Sequence, residues 1–556
     1  MTPREFVERV ATRRRAPLIA ALVALIAALP TLFTLPPTDR DESRFAEASA
    51  QMLESGDFSN IMFQDQPRYK KPVGIYWLQA LSVKALSAVE RREIWAYRVP
   101  SVLGAMLAAA ACAWGALAFL GPGEALMAGL LLASTLVLST ESTLATTDAA
   151  LCGAVTLSLA AMGRVYLAGR GGPPAGRWTL ALFWLGLGAS VLLKGPIGPM
   201  AAALTGIALA LWDRRTGWIG KLGWDWGLIL LAAMVLPWAL AITVATDGAF
   251  WGAAVGGDLA PKLAGGQEGH GAPPGYFLLL SPVLLFPATL LLPAAAAEGW
   301  TRRVEPGVRF ALCWLVPTWI VFEFVPTKLP HYTLPTFGAL AWLMAASLRR
   351  PPGPLARWIG AGLTLLAAVG LAIAGAAGAW RFGDAWSWAW AALAGVLLAA
   401  AAILGAARLL GRRAGIAAAL ACGFGVAAHA ALAGALAPSL QGIWLSERVA
   451  RGLSRTWAAE GGSAGPVSVA GYAEPSLVFL LGAPTVLGSP ADAAEAIAEG
   501  RAAVVDDKAA SAFQAALAAD QTSARQTDVV RGLNYSSGHA QTLRLYEPGA
   551  APEAGR

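Results

Sequence analysis

The sequence predicts an all-α protein that crosses a membrane many times and ends in a small α/β domain. Three observations carry this reading. Only 14% of the 556 residues are charged and 56% are hydrophobic, whereas a soluble domain carries about 25% charged residues. Apolar segments recur as far as residue 438, each near the ~20 residues that a bilayer span needs. Beyond 439 the pattern changes to short strand-like and helix-like stretches. The net charge of +7 would point to nucleic acid in a soluble protein. Here most cations fall in short loops, where they set topology, so no nucleic-acid partner is expected. Cys112, Cys152, Cys313 and Cys422 lie within apolar runs without metal-ligand spacing and read as small core residues.

The chain opens with Arg4, Arg9, Arg13, Arg14 and Arg15, followed by a span at 16–35 that lacks a clear cleavage site and is read as retained. Further apolar segments lie at 96–119, 123–140, 144–168, 178–194, 196–212, 224–246, 276–297, 308–325, 332–348, 355–379, 386–409 and 414–437, which makes about thirteen transmembrane helices. With the amino terminus inside, the loop clusters Arg164/Arg170/Arg177, Arg214/Arg215/Lys221, Arg302/Arg303/Arg309, Arg349/Arg350/Arg357 and Arg408/Arg412/Arg413 all fall inside. Residues 1–438 then form a membrane domain with a water-side first loop at 36–95. Residues 439–556 form the outer α/β domain, with strands expected at 467–470, 503–506 and 542–546 and helices at 475–482, 491–499 and 508–519. That domain has no cysteine and no dense charged motif, and its role reads as accessory.

The outer side collects a different chemistry. The first loop, TDRDESRFAEASAQMLESGD, places Asp41 and Glu42 side by side with Arg44 two residues on, and closes with Tyr69-Lys70-Lys71-Pro72. Asp39 and Glu42 have capping-box spacing, so capping is the bland reading of Asp39. Phe45, Ala48, Met52 and Leu53 repeat at helical spacing up to a stop at Gly56, and a second helix is expected after Pro72. Both helices would lie on the membrane surface. Asp148, in TTDAAL, stands one turn inside a span, where an ionisable group costs roughly 2.5–3.5 kcal/mol at the bilayer centre and less near the interface. Its alternative is a first-turn acid favoured by the helix dipole. Lys194, in LLKGPIG, reads as functional or as a lysine snorkelling to the interface. Lys328, His331 and Tyr332, in KLPHYTLP, lie at the same level, and the flanking prolines suggest a shaped pocket. His270, in the long loop 247–275, could ligate a metal or contact a phosphate. Zincin, redox and P-loop motifs are absent from the sequence.

The order DESRFAEASAQMLESGD, YKKPVGIYW, TTDAAL, LLKGPIG, KLPHYTLP resembles the C-type polyprenyl-phosphate-sugar glycosyltransferases. It is nearest in pattern to the lipid A aminoarabinose transferases and the dolichyl-phosphate-mannose protein mannosyltransferases, over residues 16–350. The resemblance implies that Asp41 is the first-loop catalytic acid with Glu42 and Arg44 beside it, that Lys71 holds the carrier phosphate, and that Asp148 is a second essential acid. It also implies that Tyr332 lines the phosphate and that the loop of His270 supplies further ligands. Tyr69, Lys70, Lys194, Lys328 and His331 join the phosphate- and substrate-binding set. Where aminoarabinose transferases carry a metal-binding glutamate, this chain has Lys70, which argues against a metal there and adds a cation for the phosphate.

The expected activity is therefore transfer of a sugar from an undecaprenyl-type phosphate donor to a lipid (lipid A-like), glycan or protein acceptor. The setting is the periplasmic face of a bacterial inner membrane, with the amino terminus cytoplasmic and the carboxyl terminus periplasmic. No cofactor is required, although a divalent metal held by His270 is an open alternative. The lipid phosphate is itself a good leaving group, so cations suffice to stabilise it. Asp41 would serve as base for a hydroxyl acceptor, or only position groups if the acceptor is a phosphate. Asp148 would orient the acceptor or stabilise the anomeric carbon, with inversion at the sugar. The alternative of a different class is a secondary transporter or flippase for an anionic lipid-linked sugar, because Gly195-Pro196 resembles the helix breaks of transporters. Against it, the acids gather at one face and no internal repeat is visible.

Overall fold

The structure, a computed structural model, describes residues 11–265, 271–460 and 465–549. His270, Arg4 and Arg9 lie outside the described residues. Each apolar segment read from the sequence coincides with helix. Among the described residues eight helices are long and apolar enough to cross a membrane: Arg15–Leu32, Ile94–Ala116, Asp148–Ala168, Trp224–Ala245, Pro306–Phe324, Pro354–Phe382, Ala385–Leu410 and Ala414–Ser439. A further pair, Tyr276–Leu284 and Ala288–Thr301, bends by 115°, with Pro287 at the break, where a missing N–H interrupts the ladder. The other segments are shorter, broken or less apolar, so the expected thirteen are helical stretches of unequal length rather than uniform rods. Leu366, Ile373, Trp380, Trp386 and Val396 are all more than 60% exposed. Rows of large apolar side chains left bare in this way are what a lipid-facing surface presents.

Two crossing helices fix where Asp148 stands. Ile94–Ala116 and Asp148–Ala168 touch backbone to backbone: a Cβ on Gly104 would come 2.4 Å from Ala150 Cα, and one on Gly153 would come 2.5 Å from Gly104 O. Small residues at such a crossing let backbones approach where lipid offers no hydrophobic drive. The same helix Ile94–Ala116 carries Arg98, fully buried, whose Nε and Nη2 donate to Glu42 at 2.7 and 3.0 Å. The first loop is thereby tied to the helix that sets the position of Asp148.

Charges sort to the two ends of the bundle. Asp213 accepts hydrogen bonds from Tyr166 at 2.7 Å, from Arg170 at 2.9 Å and from Arg309. Arg349 pairs with Glu298 at 2.8 Å and Glu305 at 2.9 Å. These residues come from loops that charge counting assigned to one face. Asp148 begins, and Arg170 follows, a helix of 21 residues, roughly 30 Å long at 1.5 Å per residue, so Asp148 belongs to the opposite end.

The first loop folds as expected into the helix Asp41–Ser55, ended by Gly56 at φ 74°, and the helix Gly74–Leu86 after Pro72. Asp39 does not cap. The helix begins at Asp41, and Glu42 instead reaches back to the N–H and hydroxyl of Thr38 at 2.8 and 2.9 Å.

In the carboxyl-terminal region, five strands form one sheet in the spatial order Val486–Gly488, Ser468–Ala470, Ala503–Asp506, His539–Pro548 and Ala524–Asn534. The first three are parallel, and the last two form an antiparallel hairpin joined to them. Helices Pro475–Leu481, Pro490–Ala498 and Ala510–Ala519 follow the expected positions, and Leu445–Glu460 leads in from the bundle. The strands Val486–Gly488 and Ala524–Asn534 were not anticipated.

Candidate active site

The helix starts and loops at one end of the bundle enclose a cavity of about 240 Å³ lined by side chains of both signs. A larger cavity of about 600 Å³ lies on the carboxyl-terminal domain, but it carries arginines with the single carboxylate Asp528. The smaller cavity is where acids and cations converge.

On the first-loop wall, Asp41 opens its helix with its side chain 65% exposed, and among the described residues it pairs with Arg68 Nη2 at 3.8 Å. Arg68 is itself buried and stacked on the Phe45 ring at 4.9 Å. Glu42, beside it, is buried. Its Oε1 is held by Arg98 and by the N–H of Ala145 at 2.8 Å, and its Oε2 by Arg98 and Thr38. Both its oxygens are committed, so Glu42 anchors the loop. Arg44 and Lys70 also line the cavity.

Asp148 sits in the first turn of its helix. Lys194 Nζ donates to its Oδ1 at 2.5 Å, and His331 Nε2 lies 3.6 Å away. His331 Nδ1 is 3.1 Å from Glu141 Oε1. Lys194 also stands 5.2 Å over the Tyr332 ring, a cation–π distance. It can reach Asp148 because the chain turns at Gly195, φ 62° and ψ −124°, immediately after it. The break that could have marked a transporter thus delivers a lysine to a carboxylate. Burial alone pulls the His331 imidazole down, but the Asp148 and Glu141 carboxylates outweigh it and raise it above its ordinary value.

The third wall is the π-helical stretch Gly252–Leu259 continued by the short helix Ala260–Ala264. Asp258 accepts from Lys71 Nζ at 2.9 Å and from Lys262 Nζ at 2.6 Å. Burial pulls the Lys71 ammonium down to about 8, helped by Lys262 and Lys194 and opposed by Asp258. Burial works to raise the Asp258 carboxyl, and the two lysines overcome it and hold it low. Two half-buried ammoniums are thus gathered on one carboxylate, an arrangement that can also hold a phosphate anion.

Residues 17–251 match the dolichyl-phosphate-mannose-protein mannosyltransferase family. An undecaprenyl phosphate-alpha-4-amino-4-deoxy-L-arabinose arabinosyl transferase of Pseudomonas paraeruginosa is 31% identical over 316 residues, 55% of this chain and 55% of the relative. Its counterpart in Aeromonas salmonicida is 30% identical over 57% of this chain and 58% of the relative. The chain therefore aligns with just over half the length of these relatives. ArnT from Cupriavidus metallidurans in the apo state superposes with a TM-score of 0.73 over 95% of this chain and 97% of that one, at 19% identity. This is the C-type glycosyltransferase fold. The ArnT structure bound to undecaprenyl phosphate superposes with a TM-score of 0.72 at 19% identity.

Within the C-type glycosyltransferase fold, the sequence-predicted Asp41, Glu42, Arg44, Lys70, Lys71, Asp148, Lys194, His331 and Tyr332 all line one cavity. Two expectations fail. Lys328 is buried away from it, its Nζ donating to the carbonyls of Glu323 and Val325 at 2.6 and 2.7 Å, where it closes the carboxyl end of the helix Pro306–Phe324. The Tyr69 hydroxyl donates to Asn60 Oδ1 at 3.0 Å, and its ring packs on Phe250. Sequence reasoning missed Asp258, Lys262, Arg68 and the site role of Glu141. The i,i+4 pair in GDLAPKLAG was the available signal for the first two.

Proposed function

We propose that the chain is an integral-membrane glycosyltransferase that moves a sugar from a polyprenyl phosphate donor, of the undecaprenyl type, to a lipid A-like or other polar acceptor with inversion. The observation that carries this reading is the single cavity where Asp41, Asp148, Lys71, Lys194 and Lys262 meet, set in a fold shared with ArnT. The matched curated relatives are named as arabinosyl transferases with an undecaprenyl phosphate donor, which supports the donor class. The lipid-facing helices give the prenyl tail a surface. The cavity end would face the periplasm of a bacterial inner membrane, and the Asp213–Arg170–Arg309 end would face the cytoplasm, as the positive-inside rule requires.

The chemistry follows from the three walls. The donor phosphate takes Lys71 and Lys262, replacing the Asp258 carboxylate that they now share. As the bond to the sugar breaks, negative charge grows on the departing phosphate, and the lysines stabilise it more strongly than in the ground state. Asp41, on the solvent side and free of a tight ion pair, accepts the proton of an acceptor hydroxyl. Asp148, fixed by Lys194 and backed by His331, holds the acceptor or the positive charge developing at the anomeric carbon. Attack from the face opposite the phosphate inverts the sugar.

Glu141, Asp148 and His331 place one ligand atom each within 4.8 Å of one another, a set that could hold a metal ion. The donor set does not fit a resident divalent ion. Lys194 already occupies Asp148 Oδ1 at 2.5 Å, and an ammonium there repels a second cation. The reaction is therefore read as metal-free. Lipid extracts of cells with and without the gene, compared by mass spectrometry, test the whole reading. The expected result is an acceptor that loses a sugar-sized mass and a polyprenyl phosphate sugar that accumulates. Identical extracts from cells shown to express the protein would refute it.

A further inference from the structure

The hairpin that joins the strands Ala524–Asn534 and His539–Pro548 ends on the backbone immediately before Asp41. Tyr535 Oη accepts the N–H of Asp39 at 2.6 Å, and Arg40 Nη2 donates to the carbonyl of Ser536 at 2.7 Å. The Ser476 hydroxyl, from the same domain, donates to Asp39 Oδ1. Burial against this domain pushes the Asp39 carboxyl up to about 7, with Ser476 and Tyr535 pulling it down and Glu474 raising it further. These partners lie more than 430 residues away in sequence.

The backbone between these contacts is unusual. Arg40 has φ 63° and ψ −108°. That is the mirror image of extended backbone, the region of a type II′ turn's first central residue, which glycine ordinarily supplies. A residue with a Cβ stays there only when its surroundings hold it. Arg40 has no side-chain cap contact to its own helix, and its guanidinium reaches the hairpin tip instead. The tip in turn is braced. Asn534 donates to Glu474 at 2.7 Å and accepts the N–H of Ser536 at 3.0 Å, and the Tyr535 ring packs edge-on against Trp444. Phe479, on the helix Pro475–Leu481, packs against Tyr97 beside Ala46 and Ala50 of the first-loop helix. Gln64 Nε2 donates to the carbonyl of Ala483 at 3.1 Å.

We infer that the carboxyl-terminal domain positions the candidate catalytic acid: its hairpin tip, through Tyr535 and Ser536, holds Arg40 in a backbone conformation that aims Asp41 into the cavity. Tyr535 touches no reacting group and acts through two peptide units, so it is a positioning residue. If Arg40 relaxed to negative φ, the first turn of the helix would swing and carry Asp41 off line. The inference rests on Asp41 being the reacting base.

The test uses the full-length protein in detergent with a lipid-phosphate-linked sugar donor. Tyr535→Phe keeps the ring on Trp444 and removes the acceptor oxygen. It should lower kcat about tenfold with the donor KM within about twofold, since misplacement of a reacting group costs rate rather than donor binding. Arg40→Gly and Arg40→Ala both lose the guanidinium and differ only by a Cβ. Arg40→Gly should turn over at least about threefold faster than Arg40→Ala, because only glycine enters that backbone region freely. In the Tyr535→Phe background, Arg40→Gly should recover part of the lost kcat and Arg40→Ala none. Equal rates for the two Arg40 variants, or a wild-type kcat in Tyr535→Phe, overturn the inference. Should Tyr535→Phe fail to fold by its melting curve, the Arg40 pair decides alone. Asp41→Asn is the control that separates the two claims. If Asp41→Asn is active, the base assignment fails. If it is inactive while the Arg40 variants are equal, only the positioning role fails.

Discussion

Asp41 stands at a helix start with its carboxylate largely in solvent and Arg68, its cation among the described residues, 3.8 Å off. Removing its charge empties no core and breaks no tight pair, so Asp41→Asn should abolish transfer while leaving the melting temperature unchanged within a degree or so. Near-normal turnover in a radiolabelled sugar-transfer assay would return Asp41 to a surface role. Lys71 carries the complementary charge. Lys71→Ala should cost roughly 1.5–3 kcal/mol, about ten- to a hundredfold, more in kcat than in donor binding. Its ammonium is pulled down to about 8, and only the protonated form can hold the phosphate. Donor kcat/KM should therefore fall as pH rises through about 8, and Lys71→Arg, which stays charged, should flatten that limb. The place of these two residues on one cavity was legible because acids and lysines clustered in a short stretch between apolar runs. Lys328 was misread because its carbonyl partners depend on how a helix end folds back, which spacing does not reveal. The capping alternative for Asp39 fails because its partners, Tyr535 and Ser476, are brought to it only by the tertiary fold.

The segment 252–264 is the element whose behaviour the account most constrains. Asp258 holds the two lysines assigned to the donor phosphate in the proposed reaction, so on that proposal it competes with substrate. Asp258→Asn should lower the donor KM by up to about tenfold, because a neutral amide gives up charged donors more readily than a carboxylate. An unchanged KM in a donor titration would make Asp258 a structural partner instead. The crossing of Ile94–Ala116 with Asp148–Ala168 is constrained in the other direction. A Cβ at Gly104 would lie 2.4 Å from Ala150 Cα, with backbone on the far side and no room to yield. Gly104→Ala should cost about 1–3 kcal/mol of stability, read as a lowered thermal midpoint, with activity falling too because the helix that carries Asp148 moves. The helices themselves were visible as apolar runs with charged ends. Their lengths and bends were not, because prolines such as Pro287 act only once neighbours decide which way the chain turns.

At the scale of the whole molecule, basic clusters gather at one end of the bundle and mixed charges at the other, and that alternation was readable from the loops alone. What the sequence hid was the reach of the carboxyl-terminal region. Its strand Ala524–Asn534 alternates poorly and its turn is polar, so the hairpin that touches Asp39 and Arg40 gave no strand signal, and the domain as a whole read as accessory. The proposed orientation predicts that a reporter active only outside the cytoplasm is active when fused after Glu447 and silent after Arg215 or Arg350. Activity after Arg350 would reverse the assignment. Lys194 on Asp148 argues that no divalent ion is resident, so exhaustive chelation should leave the rate unchanged. A loss restored by added metal would reopen the Glu141–Asp148–His331 set. The most direct test of the central claim is turnover by the purified protein in detergent, where no sealed compartment exists. Given an undecaprenyl-phosphate-linked sugar and a lipid acceptor, it should form a glycosylated lipid of inverted configuration, and Asp41→Asn and Asp148→Asn should not. Absence of product from folded protein across the sugar and acceptor panel, with movement of the donor lipid across sealed vesicles instead, would contradict the account and make the chain a transporter.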